Sequence, residues 1–172
     1  RGLGDVYKRQ LQQSQGAANP FTIECWIWID SSIVSTRTDS LKTITLFEYG
    51  YGQSNYPFFN EKFTIVGTTT TAGTGLGWES SYFGSFSQPV TIPKDQWVHI
   101  AFQRDGWAGD GQVYGYVNGT RYSIFNIGGW PVGGNGGVVC YIGGNPSSTT
   151  HGYHKGYIDD FRITTTGTVS YT

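Results

Sequence analysis

Short stretches in which apolar and polar residues alternate recur along most of the chain, and polar or glycine-rich turns separate them. This period of two is typical of β-strands, and helical periodicity is weak throughout. The stretch Phe21–Ile29 is apolar on one face, and Trp26 and Trp28 make its second face apolar too. We therefore predict a central strand that is covered on both faces. The complete set of predicted strands is 21–29, 43–49, 62–67, 76–86, 97–104, 113–117, 120–125, 138–143 and 156–165.

The dipeptide Asn118-Gly119 lies between two of these predicted strands. Asn-Gly favours the positive φ angles of a type I′ turn, so it predicts a tight β-hairpin. It also begins the formal glycosylation acceptor Asn118-Gly119-Thr120, but we favour the hairpin interpretation. Short strands at intervals set by turn residues predict an all-β sandwich or barrel.

The composition fits a single β-rich domain. The 172 residues include 26 Gly, 6 Trp, 12 Tyr and 10 Phe, and so many aromatic side chains argue against disorder. The 11 Lys and Arg residues against 12 Asp and Glu give a net charge of −1, which predicts no basic face for nucleic acid. No apolar run approaches the about 18 residues of a membrane span. We therefore predict neither nucleic acid nor membrane as a partner.

Residues 1–10 resemble the translation of a transposase-based sequencing adapter, whose end reads Asp-Val-Tyr-Lys-Arg-Gln. We predict that they do not belong to the natural protein, which would begin at or after Leu11 as a fragment of a longer chain. The alternative is a natural, disordered, basic N-terminus. Without this segment the chain has 8 basic and 11 acidic residues, a net charge of −3.

The two cysteines, Cys25 and Cys140, lie far apart in the sequence. They could form a disulfide or stay reduced, and the spacing does not decide between these states. We favour free, buried thiols, because a buried cysteine often serves as a small apolar side chain.

Three segments in order carry a family resemblance. The first is Phe21–Ile27, and the second reads Trp-Val-His-Ile-Ala-Phe-Gln-Arg-Asp-Gly at 97–106, followed by Tyr-Gly-Tyr-Val-Asn-Gly-Thr at 114–120. The third reads Tyr-Ile-Gly-Gly-Asn-Pro at 141–146 and Gly-Tyr-Ile-Asp-Asp-Phe-Arg-Ile at 156–163. Together they resemble the concanavalin A-like, laminin-G-like jelly-roll domains.

This resemblance implies an all-β, antiparallel, two-sheet jelly-roll sandwich over residues 11–172. Domains of this family usually have one or two strands before the one that resembles Phe21–Ile27, so we expect that the N-terminal strand is missing and that a sheet edge is left unpaired. The closing segment 162–172 most resembles versions in bacteriophage and marine viral structural proteins. The resemblance thus implies a virion or extracellular location.

Several residues in these segments have a structural interpretation. We expect Trp97 to bury its ring on the inner face of its sheet. His99 is expected to make a structural hydrogen bond rather than to serve in catalysis or ligand binding. Asp159 and Asp160 are adjacent in a predicted strand, so we expect one of them to point inward as a hydrogen-bond anchor beside Arg162.

The fold that this resemblance implies is also found in endoglucanases, so a catalytic pair of carboxylates is a possibility that the sequence must be tested for. Retaining glycosidases need two carboxyl groups about 5–5.5 Å apart, and the glucanases place them on one strand as Glu-x-Asp-x-(x)-Glu. That pattern is absent, and Glu24, Glu48, Glu61 and Glu79 each stand alone in the sequence. There is also no Gly-x-Ser-x-Gly motif, phosphate-binding loop or zinc spacing. We predict that the protein is not an enzyme.

The favoured function is a non-catalytic recognition module that binds a glycan or a cell-surface polysaccharide. Aromatic loop residues would stack on sugar rings while amides and carboxylates accept and donate hydrogen bonds; the alternative is that these rings cap the core. The candidate residues are Tyr51, Asn55, Tyr56, Trp107, Asp110, Trp130, Asn135 and Tyr153.

Two other functions stay open. One is a structural virion domain that contacts other virion subunits without binding glycan, and the weaker one is a partial glycoside hydrolase. A large exposed aromatic patch would favour a protein interface, whereas a groove with scattered polar groups would favour a sugar.

The resemblance identifies no certain cofactor but allows a structural Ca²⁺, since many related domains bind this ion through loop oxygens. Asp105, Asp110 and Asn118 are the expected ligands, and Asp30 or Asp39 could assist.

Overall fold

A computed structural model describes residues 21–31, 44–51, 61–67, 72–80, 84–104, 112–126, 138–144, 154 and 156–164. These residues form ten β-strands. The strands are β1 (Phe21–Ile29), β2 (Ile44–Tyr51), β3 (Glu61–Gly67), β4 (Ala72–Ser80), β5 (Gly84–Pro89), β6 (Trp97–Arg104), β7 (Gln112–Val117), β8 (Thr120–Asn126), β9 (Val138–Ile142) and β10 (Gly156–Thr164). In the part of the chain that the structure describes, no helix has the length and apolarity needed to cross a membrane.

The strands form two five-stranded sheets in which all neighbours are antiparallel. Sheet 1 has the order β10-β1-β6-β7-β8, and sheet 2 has the order β5-β4-β3-β2-β9. The predicted all-β, two-sheet jelly-roll architecture is therefore confirmed. The predicted strand 76–86 is instead two strands, β4 and β5, which fold back on each other and place Trp78 opposite Phe86.

The core lies between the two sheets and is fastened by aromatic rings that meet across the gap. Phe63 of sheet 2 contacts two rings of sheet 1, with its centroid 5.0 Å from that of Phe102 and 6.2 Å from that of Phe21. Phe47 similarly lies 5.6 Å from Phe161. Because these pairs join different sheets, they fix how the sheets face each other.

Strand β1 is central, as predicted, because β10 and β6 flank it. Its inner face is buried throughout, with Ile27 and Ile29 fully inaccessible. The prediction that both faces are covered is wrong at Trp26, which is 40% exposed on the outer face.

Trp97 also lies on the outer face of sheet 1, so its predicted burial is wrong. The β1–β6 register pairs Trp97 with Trp28 and Val98 with Ile27. Only one face of β6 can meet sheet 2, and in this register Val98 continues the buried aliphatic row that Ile27 begins. The Trp97 side is therefore left 43% exposed.

The hairpin between β7 and β8 turns at Asn118 and Gly119, as predicted. Their φ angles are +47° and +80°, which are the positive values that a type I′ turn requires. The Asn118 side chain also ties the turn to β6, because its Oδ1 accepts the backbone N–H of His99 at 3.0 Å.

Cys25 is a free thiol on the buried face of β1, which confirms the prediction for this residue. Burial, aided by the negative charge of Glu24, raises the pKa of the thiol to about 12. Cys25 is therefore an apolar packing group and not a nucleophile at neutral pH. The side chain of Cys140 lies outside the described residues.

Candidate functional site

The loop residues predicted to bind carbohydrate fall mainly outside the described part of the chain. Tyr51 ends β2, where its backbone pairs with Val138 of β9. The others lie outside the described residues, and their role stays a prediction: Asn55, Tyr56, Trp107, Asp110, Trp130, Asn135 and Tyr153.

Of the three predicted calcium ligands, only Asn118 lies among the described residues. Its Oδ1 accepts a backbone hydrogen bond from β6. Asp105 and Asp110 lie outside the described residues, so the calcium site also stays a prediction. Among the residues the structure does describe, no group of three or more His, Cys, Asp and Glu side chains could hold a metal ion.

A row of aromatic side chains crosses the outer face of sheet 1. The register places Tyr157 of β10 and Trp97 of β6 on either side of Trp28 in β1. Trp26 lies two residues before Trp28 in β1 and projects from the same face, because side chains alternate in a strand. We call Trp26, Trp28, Trp97 and Tyr157 the outer-face platform.

The platform rings contact one another and remain open to solvent. The Trp97 centroid lies 6.1 Å from that of Trp28 and 6.4 Å from that of Tyr157. Trp28 is partly buried between its neighbours, whereas Tyr157 is 67% exposed. Exposed aromatic rings that cluster in this way are uncommon on a surface with no binding role.

Polar side chains lie directly beside the platform. The ring of His99, which is opposite Trp26, approaches the Trp26 ring with 5.3 Å between centroids. His99 Nε2 lies 3.2 Å from Oε2 of Glu24, and both side chains are mostly buried. The predicted structural hydrogen bond of His99 is thus confirmed, and it holds the imidazole against the platform.

Asp159 and Asp160 lie on the other side of Trp26, at a β-bulge between β1 and β10. The prediction that one of them points inward is wrong, since both are exposed. The physical reason is the bulge: Asp160 has a φ of +49°, which breaks the simple alternation of faces. Phe161 then takes the next inward position, and Asp160 forms a two-contact ion pair with Arg162 at the surface.

Contacts at the ends of the strands hold the platform in place. Oδ1 of Asp95, just before β6, accepts the backbone N–H of Ser31 at 2.9 Å, and the Asp95 N–H donates to the Ile29 carbonyl. The hydrogen bonds from Ser31 lower the pKa of Asp95. This double link joins the end of β1 to the start of β6, where Trp28 and Trp97 lie.

His154 supports the other side of the row. Its Nε2 donates to the Tyr157 carbonyl at 3.1 Å, and a backbone hydrogen bond with Trp28 is also present. Burial lowers the pKa of His154 despite these bonds, so the neutral ring is favoured. Gly156 permits the close approach, because a Cβ there would lie 1.9 Å from the Trp28 carbonyl oxygen.

The outer face of sheet 1 is closed at its opposite end. Thr22, Ala101 and Gln103 occupy outward positions, yet each is at most 1% exposed. The Tyr116 hydroxyl donates to Oε1 of Gln103 at 2.6 Å in this buried region. Among the described residues of β1 and β6, the outer face is therefore closed to a large ligand at this end and open at the end that carries the platform.

A second polar row lies on sheet 2. The register aligns Glu48 with Lys62, and Lys62 with Glu79, on three neighbouring strands. Glu48 is only 3% exposed, and Thr45 and Thr64 on the same face are fully buried. The Glu48 carboxylate is therefore not open to a polysaccharide.

A family model places the fold among known proteins. The Laminin_G_3 model, described as the concanavalin A-like lectin/glucanases superfamily, matches residues 7–167. The chain belongs to this superfamily. No curated protein sequence is significantly similar to this member of the superfamily.

Three solved structures are similar to this superfamily domain. Domain 4 of AbnA, a GH43 extracellular arabinanase from Geobacillus stearothermophilus in complex with arabinotriose, aligns at 21% identity and a TM-score of 0.52 over 86% of this chain and 61% of that one. A heptameric SAP-like pentraxin from Limulus polyphemus aligns at 19% identity and 0.56, over 89% and 66%. The CBM40 of the Ruminococcus gnavus IT-sialidase, bound to α2,3-sialyllactose, aligns at 16% identity and 0.53, over 86% and 75%.

These similarities establish the fold of this superfamily member but not its ligand, because the identities are low and one fold serves many functions. The chain spans about three fifths of the length of the arabinanase domain structure and about two thirds of the pentraxin. These similarities therefore do not establish the activity or the partners of the complete protein.

Sequence reasoning missed the platform of this superfamily domain, although a signal was present. Trp26 and Trp28 alternate with the apolar residues of β1, and Trp97 and His99 alternate with those of β6. Both faces look apolar in such a pattern. These Trp and His side chains have a ring N–H group, which suits an exposed surface, and they all lie on one face of their strands. This difference between the two faces was the signal for the platform.

Proposed function

We propose that this domain is a non-catalytic carbohydrate-binding module and that the outer-face platform is its binding surface. The observation that carries the proposal is the exposure of Trp26, Trp97 and Tyr157 on one sheet face. Sugar rings have apolar faces that stack on aromatic rings and hydroxyl groups that need polar partners. Asp159, which is exposed and lies opposite Trp26, supplies such a partner beside the platform, and the His99–Glu24 pair holds its place next to Trp26.

Docking of another protein is the second candidate, since an exposed aromatic cluster by itself favours a protein interface. The residues beside Trp26 favour a sugar instead. Protein interfaces are depleted of Asp and Glu at their cores, whereas a glycan site uses carboxylates as hydroxyl acceptors. Asp159 lies directly opposite Trp26 on β10, and Glu24 lies two residues before Trp26 on the same face of β1.

The comparisons support a glycan ligand without identifying it. Two of the similar structures, the arabinanase domain and the CBM40, were solved with bound oligosaccharides. We propose that the module belongs to a larger extracellular or virion protein. The extracellular arabinanase supports the first setting, and the resemblance of the closing segment to viral structural proteins is what supports the second.

Binding should depend on the platform tryptophans. We expect Trp97→Ala and Trp26→Ala each to weaken glycan binding roughly tenfold or more, because each removes an aromatic anchor. The measurement is affinity electrophoresis in laminarin, agarose and carrageenan gels, with calorimetric titration of arabinotriose, lactose and α2,3-sialyllactose. Ile142→Ala is the matched control, since Ile142 is 44% exposed but lies on sheet 2.

The same experiment separates the platform from the predicted loop site. Trp107→Ala and Trp130→Ala should leave binding unchanged if the platform is the site. Loss of binding in these loop variants, with Trp97→Ala unaffected, would place the site in the loops. The protein-docking candidate would be favoured if the wild-type protein binds none of these glycans and forms a larger complex in solution. Loss of that complex in Trp97→Ala would assign it to the platform.

A further inference from the structure

The carboxylate of Asp159 has a defined position beside the platform. The β1–β10 register pairs Asp159 with Trp26, and the side chain is exposed. Its Oδ1 accepts the backbone N–H of Asp160 at 2.8 Å. This short local hydrogen bond restrains the carboxylate on the strand position opposite Trp26, so less order has to be gained when a ligand binds.

The positive groups near Asp159 already face carboxylates. Arg162 Nε donates to Asp160 Oδ1 at 3.0 Å, and a second contact completes the pair. His99 lies 3.2 Å from Glu24. Among the described residues, three carboxylates thus border the platform, and the basic groups beside them are the Arg162 guanidinium and the His99 imidazole. Acidic groups outnumber basic ones in this described set.

Given the proposed function, we propose that Asp159 makes the platform selective for uncharged glycans over sulfated or carboxylated ones. An ionised carboxylate only accepts hydrogen bonds. It can therefore bind the hydroxyl groups of a sugar ring that is stacked on Trp26. A sulfate or carboxylate at the same place would present a second acceptor and a like charge, and both are unfavourable.

Two pairs of probes test this selectivity, because each pair differs in charge on a related sugar. Agarose and carrageenan are uncharged and sulfated galactans, and lactose and α2,3-sialyllactose differ by one sialic acid. We expect the wild-type protein to bind the uncharged member of at least one pair more tightly. Affinity electrophoresis and calorimetric titration at physiological ionic strength give the ratio, because at lower salt distant charges would also contribute.

Asp159→Asn should change that ratio in a defined way. The variant keeps the side-chain shape and an acceptor for the Asp160 N–H but loses the charge. We expect binding of the uncharged glycan to weaken about tenfold, and the preference over the charged one to shrink about fivefold beyond that seen in the control. The control is Ser87→Lys, which makes the same change in net charge at an exposed position on sheet 2.

The outcomes separate this inference from the proposed function. Glycan binding that depends on Trp97 but prefers the charged probes, or a preference that Asp159→Asn leaves intact, would overturn the inference and keep the module. An equal change in Ser87→Lys would also overturn it, because the effect would then follow from net charge. The absence of any glycan binding by the wild-type protein would remove both proposals together.

Discussion

The two faces of β1 and β6 show how similar sequence patterns can serve different purposes. On the inner face, Ile27 and Val98 are at most 1% exposed, whereas Trp26 and Trp97 on the outer face are 40% and 43% exposed. Both faces are rich in apolar atoms. The inner residues have no polar atoms and fill the space between the sheets, while each outer indole has an N–H that water or a ligand can satisfy. The first face stabilises the fold, and the second is available for binding.

Two substitutions in β6, one on each face, should separate the stabilising inner face from the binding outer face most clearly. Ile100 is fully buried, so Ile100→Ala should lower the free energy of unfolding by about 2–5 kcal/mol through lost burial and a cavity. Trp97→Ala should lower it by less, about 0.5–1.5 kcal/mol, because this half-exposed ring loses only its contacts with Trp28 and Tyr157. Urea unfolding of both variants gives the difference. Equal destabilisation would show that the outer face also supports the core.

A smaller loss of stability is expected from a substitution at Gly156, where β10 passes close to β1. Gly156 has a φ of +149°, and an added Cβ would overlap the Trp28 carbonyl. Gly156→Ala should therefore destabilise the fold by roughly 1–3 kcal/mol, the usual cost of a strained backbone position. Because β10 would have to shift, glycan binding should weaken as well.

Thermal unfolding and the glycan titration measure the two effects of Gly156→Ala in the same preparation. Ser123→Ala, at an exposed position on β8, is the control for a small substitution elsewhere in sheet 1. Unchanged stability in Gly156→Ala would mean that β10 can move away from Trp28 at little cost.

The alternation of residues was sufficient to predict most strands, and Asn118-Gly119 predicted the tight turn, because both depend on local sequence. The two-sheet arrangement came from the family resemblance, since alternation alone allowed a sandwich or a barrel. It did not determine which face of β6 is buried, since that depends on the β1 register, which pairs Trp97 with Trp28. The outward position of Asp160 was also beyond local reasoning, because a bulge shifts the alternation by one residue. The alternation of Trp and His residues in β1 and β6 hinted at an exposed face, but the platform joins three strands, so its assembly depends on the sheet order.

The smallest effect should be a pH dependence that originates at His154, behind the Tyr157–Trp28 row. In the folded state burial lowers the pKa of His154 below its ordinary value of 6.5, while the unfolded chain keeps that value. The unfolded state therefore binds more protons as the pH falls below about 6.5, and stability decreases. The stabilising contribution is complete above this value and is lost as the pH falls toward the lower, folded-state pKa.

The position of the proton explains why the charged ring is disfavoured. Nε2 must carry hydrogen, because it donates to the Tyr157 carbonyl. A second proton would go to Nδ1, which is buried and has no hydrogen-bond partner in the described part of the protein. Protonation would thus place an unsatisfied charged donor next to the backbone that carries Tyr157 and Trp28.

Urea unfolding between about pH 7.5 and pH 5.5, a range that brackets the ordinary histidine pKa, measures this contribution. His154→Gln should flatten the loss of stability with falling pH, because the group responsible is removed. His99→Gln is the matched control on the outer face and should keep the His154 contribution. If the slope is the same in wild-type protein and His154→Gln, the pH dependence of stability does not originate at His154.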